Sequence, residues 1–328
     1  MVIKVILVTQ KDKIPADMTP FKEVIGQNSI VGQIAFYVKS HNSGIPIPSL
    51  ILTGSHGLGK TYMASKIAEA LHRKFVVINA KTMETTKDFI EGVLLNSSMI
   101  FGDDPVTVLI DEAHGLTKEV ATLLLTILNP NDSHINNLMY KNATLQYDMS
   151  RVNVIFATTD AYNMIGPLRN RCESLYFEPY SDSELIDILK YYLSDDIKIR
   201  CDEKDLAGAC RGRARDAYQL AQKIHRFLDM KYKKFLDPNG WNELKGVFGI
   251  QRCGLTKVER DVLIYIEKHQ PVSCYTLSTA FMTGEENVKL ELEVRLRELG
   301  FIDNTSRGRI ITEVGKQYLQ EELVESPV

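Results

Sequence analysis

The sequence predicts an α/β protein in three parts. These are a P-loop core with a parallel sheet (1–180, with a β-hairpin inserted near 133–150), a small α-helical lid domain (181–250) and a C-terminal winged-helix domain (251–328). Three observations carry that prediction. Strand, glycine-rich turn and helix follow one another over Ser49–Leu71; the apolar run Val106–Ile110 ends in Asp111 and Glu112; and beyond Gly254 the pattern becomes amphipathic helices followed by a hairpin. A chain of 328 residues also exceeds what one compact core usually serves.

Composition narrows the function classes. The net charge of −3 excludes a broad basic surface, so any contact with nucleic acid must come from a local patch. The five cysteines stand singly, without C-x-x-C pairs or metal spacing, and read as reduced, core-filling thiols of a cytoplasmic protein. Met1–Val8 is apolar but too short for a signal peptide, and no run approaches the length of a membrane span.

Gly54-Ser55-His56-Gly57-Leu58-Gly59-Lys60-Thr61 matches the whole G-x-x-x-x-G-K-[ST] pattern. Gly57 and Gly59 let backbone N–H groups converge on an oxyanion, and the following helix adds its dipole. Lys60 then reaches the β- and γ-phosphates of ATP, and the Thr61 hydroxyl takes one position on Mg²⁺. Upstream, Val24 and Ile25 stand where P-loop ATPases pack apolar side chains on adenine. Lys74–Ala80 has a buried strand's composition, and so does Val106–Ile110, which delivers Asp111 and Glu112 to its C-terminal edge. Asp111 is expected to hold Mg²⁺ and Glu112 to orient or deprotonate the attacking water. His114 reads as a histidine at a helix start with no metal role.

A helix over Lys118–Leu128 stops at Asn129-Pro130, and turn residues between Ile135–Tyr140 and Thr144–Asp148 predict the inserted hairpin. Leu138, Met139 and Tyr140 are expected to form a partner-docking tip. The strand Arg151–Ala157, placed between the P-loop strand and the Asp-Glu strand, ends in Thr158-Thr159, of which Thr159 is chosen to touch the γ-phosphate. Arg171 is favoured as a finger reaching a neighbouring subunit's γ-phosphate, with Arg169 in reserve. Tyr180, at the hinge, faces the nucleotide. Ser181–Glu184 is a capping box opening the lid, where Arg215 becomes a cation on the γ-phosphate. Acidic residues outnumber basic ones after Gly254, which confines a DNA contact to the wing, where Arg307 and Arg309 clasp phosphates.

The ordered set Ile25-Gly26-Gln27, Gly54–Thr61, Asp111-Glu112-Ala113-His114, Ala157-Thr158-Thr159, Pro167–Arg171 and Gly212–Arg215 resembles the AAA+ ATPases. With Leu299–Ile302, Arg307-Gly308-Arg309 and the hairpin ahead of Thr159, the chain resembles the RuvB family of Holliday junction branch-migration ATPases. That resemblance implies ATP-driven translocation by a homo-hexameric ring on duplex DNA at a four-way junction, with a RuvA-like protein docking on the hairpin. Ser55-His56 replaces the family's usual Pro-Pro, and Asn304 stands where a basic wing residue is common, drift that suits a divergent, phage or mobile-element version. Two other readings compete: a clamp-loader-type subunit, from Arg169-Asn170-Arg171-Cys172, and a nucleotide-dependent winged-helix adaptor or regulator.

Overall fold

In the computed structural model, which describes residues 16–95, 104–129, 135–141, 143–148 and 151–325, the chain divides into two compact units, Met1–Tyr180 and Ser181–Val328. The apolar run Met1–Val8 and the ends of the expected insertion at Ser133 and Ser150 lie outside the described residues. No helix among the described residues is long and apolar enough to cross a membrane.

The first unit is built on a parallel sheet because its strands are apolar on both faces. In chain order its elements are α1 (Asn28–Asn42), β1 (Leu50–Thr53), α2 (Lys60–Ala70), β2 (Lys74–Asn79), β3 (Val106–Asp111), α3 (Lys118–Ile127), the antiparallel hairpin β4 (Ile135–Tyr140) and β5 (Ala143–Asp148), β6 (Val152–Thr158) and β7 (Glu173–Tyr176). The sheet order is β2-β3-β6-β1-β7, so β6 lies between the P-loop strand and the Asp-Glu strand, as expected. Successive residues point to opposite faces. Val108, Ile110, Val154 and Phe156 join a core with α3, while Leu109, Ile155 and Ala157 join a second core with α1 and α2. The registers Ile110↔Phe156 and Thr53↔Thr158 bring the C-terminal ends of β3, β6 and β1 side by side, the edge where such sheets bind ligands.

The second unit begins with α4 (Asp182–Tyr192), whose start is fixed by the reciprocal Ser181–Glu184 capping box. The short pair β8 (Lys198–Ile199) and β9 (Phe235–Leu236) ties together α5 (Glu203–Ala209), α6 (Ala214–Met230) and α7 (Pro238–Phe248). A second capping box, Thr256 with Glu259, opens α8 (Lys257–His269); α9 (Cys274–Ala280), α10 (Val294–Glu298), the hairpin β10 (Ile302–Thr305) and β11 (Gly308–Ile311), and α11 (Glu313–Glu325) complete a winged helix. Ahead of α10 the helical path is interrupted by a wider turn over Val288–Leu292. Glu293, at the join, is fully buried and accepts a 2.6 Å bond from Arg309 Nε.

That pair corrects the expectation that Arg309 clasps DNA. Its side chain is only 14% exposed and is spent on a carboxylate that is 0% exposed, while its backbone bridges to Val272. Removing one partner of a buried pair strands the other charge at a cost of about 3 kcal/mol. Arg309→Ala is therefore expected to lower the urea midpoint of the second unit by about 1–3 M with the slope unchanged, whereas Arg307→Ala, at an exposed turn, leaves it in place. Equal midpoints for the two variants would show that the pair carries no stability.

Candidate functional site

The chain leaves β1 at Thr53, turns through Gly54–Gly59 and enters α2 at Lys60. Gly57 and Gly59 have φ of 80° and 89°, the left-handed region that glycine adopts without a Cβ penalty. Such bends turn successive N–H groups toward one side, where the unpaired amides of the first turn of α2 join them. Lys60 is only 9% exposed, and its Nζ donates to the carbonyls of Gly54 at 2.7 Å and Ser55 at 2.9 Å. The ammonium is thus already held within the loop that binds phosphate.

Tyr180 reaches the same loop. Its hydroxyl donates to the Leu58 carbonyl at 3.0 Å and lies 3.3 Å from where a Cβ on Gly59 would stand. Val24 and Ile25 are half-buried, and Val24 packs, as Tyr180 does, on the core of α1 and α2. The next turn is clamped by Gln27, whose amide donates from Nε2 to the Glu178 carbonyl at 2.7 Å and accepts the Glu178 N–H at 3.3 Å. Sequence reasoning missed this clamp, since the two partners lie 151 positions apart.

At the end of β3, Asp111 and Glu112 emerge half-buried from a fully buried strand. Glu112 adopts a left-handed backbone, φ 53° and ψ 43°, and its N–H donates to Asp111 Oδ1 at 3.0 Å. A non-glycine residue persists there only when its surroundings enforce it. Its carboxylate has Oε2 at 3.3 Å from His114 Nε2 and Oε1 at 3.7 Å from His56 Nδ1. His114 Nδ1 in turn lies 3.0 Å from the buried Thr158 hydroxyl, which also accepts the Asp160 N–H at 3.0 Å. His114, expected at a helix start with no metal role, stands with its ring between Glu112 and Thr158. Thr159 is half-buried, and its hydroxyl has no partner among the described residues.

A divalent cation fits this edge. Asp111 and Thr61 offer hard oxygen donors, and no cluster of three or more His, Cys, Asp or Glu suited to a metal exists among the described residues. Mg²⁺ characteristically takes one or two protein oxygens and completes its shell with phosphate and water. Thiol chemistry is disfavoured, because burial pushes Cys172 and Cys210 up to about 12 and Cys201 up to about 11.

Three arginines stand outside the loop. Arg171 is exposed and donates to the Leu125 carbonyl at the end of α3. Arg169 donates to the Ala161 carbonyl at 3.3 Å and lies 5.3 Å over the Tyr162 ring, so it is the more committed of the two. Arg215, in the second unit, is exposed on the first turn of α6 and has no ion-pair partner among the described residues.

The hairpin departs from expectation. Leu138 is 5% exposed and belongs to the core beneath the sheet, so it is corrected from docking residue to core residue. Tyr140 hydrogen-bonds Glu91 through its hydroxyl, and Lys141 Nζ reaches the same carboxylate oxygen at 2.6 Å. Of the three, Met139 is the exposed one, at 79%, with its sulfur accepting from the Thr144 hydroxyl at 3.7 Å.

Together these features define a P-loop ATPase core followed by a winged helix. The model of the ATPase family associated with various cellular activities (AAA) matches residues 50–180, and that of the RuvB C-terminal winged helix domain matches residues 252–320. The Holliday junction branch migration complex subunit RuvB of Prochlorococcus marinus is 30% identical over 318 residues, covering 90% of this chain and 84% of that protein. Its counterpart from Wolbachia sp. subsp. Drosophila simulans is 26% identical, covering 90% and 92%. The Thermotoga maritima RuvB Holliday junction branch migration motor shares the fold with a TM-score of 0.73 at 23% identity, over 94% of this chain and 98% of that one. The chain belongs to the RuvB family.

Gln27→Leu removes both bonds to Glu178, worth about 1 kcal/mol each. Fluorescent-nucleotide titration is expected to show affinity reduced by up to about thirty-fold, the full value of both bonds; an unchanged Kd would place Gln27 outside the support of the site.

Proposed function

We propose that this protein is an ATP-driven DNA motor that migrates Holliday junctions as a homo-hexameric ring on duplex DNA. The observation that carries this reading is the alignment of β1, β3 and β6, whose C-terminal ends carry the phosphate loop, the Asp111-Glu112 pair and Thr159 on one edge. Lys60 and the loop amides bind the β- and γ-phosphates, and Val24, Ile25 and Tyr180 enclose the base side. Thr61 and Asp111 hold Mg²⁺, which when bound neutralises charge on the transferring phosphoryl group. Glu112 aligns the attacking water, and Thr159 senses the γ-phosphate.

Arg171 of one protomer completes its neighbour's site as the finger. Its exposure supports that role over Arg169, which is already stacked and bonded. Arg215, unpaired and exposed, answers to the γ-phosphate from the lid. A clamp-loader reading loses support from the match to a winged helix in place of a helical collar. Arg307 is the wing's contact to DNA phosphate, since Arg309 is spent on Glu293. Met139 marks the hairpin surface offered to a RuvA-like partner.

Glu112→Gln is expected to abolish turnover while ATP affinity is kept, and Arg171→Ala to lower turnover by about 10³-fold, the scale of a finger supplied in trans. Mixing the two variants restores part of the activity only if sites are shared between protomers. Four-way-junction DNA is expected to stimulate the wild type, and Arg307→Ala to lower the salt dependence of duplex binding by about one ion. Stimulation by a sliding clamp and primer-template, but not by a junction, would overturn the reading.

A further inference from the structure

Glu112 lies one step beyond the last strand residue, Asp111, on a left-handed backbone. What aims its carboxylate is visible in the atoms around it. His114 follows it in a short helical turn, Ala113–Gly115, and brings its ring back over the acid. A carboxylate only accepts, so the His114 tautomer with its hydrogen on Nε2 is the one that suits Glu112 Oε2, 3.3 Å away. In that tautomer Nδ1 is an acceptor, and the Thr158 hydroxyl, 3.0 Å away, is placed to donate to it. That hydroxyl's remaining capacity is met by the Asp160 N–H at 3.0 Å. With that tautomer the contacts run in one direction, from the Asp160 amide through Thr158 and His114 to Glu112.

Thr158 has a second attachment. Its carbonyl accepts the Gly54 N–H at 3.2 Å, so this one residue is bonded to the start of the phosphate loop by its backbone and to Glu112, through His114, by its side chain. Its neighbour is Thr159. We propose that His114 is a positioning residue for hydrolysis: it ties Glu112 to the tip of β6, so that loop, acid and Thr159 are registered against one buried point. The proposal rests on Glu112 acting on the attacking water. His56 contributes less, being 3.7 Å away with its side chain 65% exposed.

The test is steady-state and single-turnover ATPase on the full-length protein with four-way-junction DNA, alongside ATP affinity and thermal melting. His114→Phe keeps the ring's bulk and removes both bonds; kcat is expected to fall about ten- to a hundred-fold, the scale of losing orientation at a reacting group, with KM, Kd and melting temperature unchanged. His114→Gln, whose amide can donate to Glu112 and accept from Thr158, restores most of kcat. Thr158→Val lowers kcat alone, and the double variant with His114→Phe is no slower than His114→Phe. Three results would overturn the proposal: a His114→Phe kcat within about two-fold of wild type, loss appearing in Kd or melting instead of kcat, or multiplicative effects in the double variant. Glu112→Gln serves as the control: if it retains turnover, the reading of Glu112 has failed, whereas if it is dead while His114→Phe is normal, only the relay has failed.

Discussion

Everything at the candidate site depends on β6 pairing with β1 on one side and β3 on the other. Parallel strands bring equivalent ends to the same edge, so the loops that leave β1, β3 and β6 must emerge together. The Gly54 N–H to Thr158 carbonyl bond is the last rung of that pairing, and it fixes where the phosphate loop begins. Gly54 has no room for a side chain there, since a Cβ would stand 2.8 Å from that of Phe177. The loop is therefore anchored at its base and left free at Gly57 and Gly59, where amides must face a ligand.

Much of this was legible because the signals are local. A glycine spacing, an apolar run closed by two acids and the capping boxes at Ser181 and Thr256 each specify conformation within a few residues. The order of strands followed from the roles those strands serve. What escaped sequence reading depends on partners remote in the chain. Nothing near His114 announces Thr158, 44 positions on, and nothing near Gln27 announces Glu178. Leu138 is an instructive miss, because the alternation of a hairpin was available. Leu138 and Tyr140 share one face of β4 and Met139 the other, so the three cannot all point outward.

Charge counting failed at the wing for a related reason. Arg307 and Arg309 look alike in sequence, yet they lie two residues apart across the tip of a hairpin, with one at the turn and one paired in the ladder with Asn304. The residue in the ladder also meets a buried carboxylate, and desolvation of Glu293 makes that pairing obligatory. The surface remaining for duplex DNA is smaller than an Arg-Gly-Arg motif suggests.

Three more arginines are spent joining the helical part of the second unit to its winged helix. Arg211 pairs with the buried Glu259, Arg213 with Glu298 at 3.5 Å, and Arg295 donates to the carbonyls of Gly208 and Cys253. Gly254 packs so closely there that a Cβ would lie 2.3 Å from the Gly208 oxygen. These contacts explain why residues 181–328 cluster as one unit although residues 255–319 surround a core of their own. Burial pushes the Asp216 carboxyl above its ordinary range, even though Arg213, Arg211 and Arg215 pull the other way. Arg215, alone of these arginines in lacking an ion-pair or hydrogen-bond partner among the described residues, is the one the packing leaves for a ligand. For a motor this division matters. Under the function proposed above, the part of the second unit that carries Arg215 is joined to the winged helix by these contacts rather than by a loose joint near residue 250.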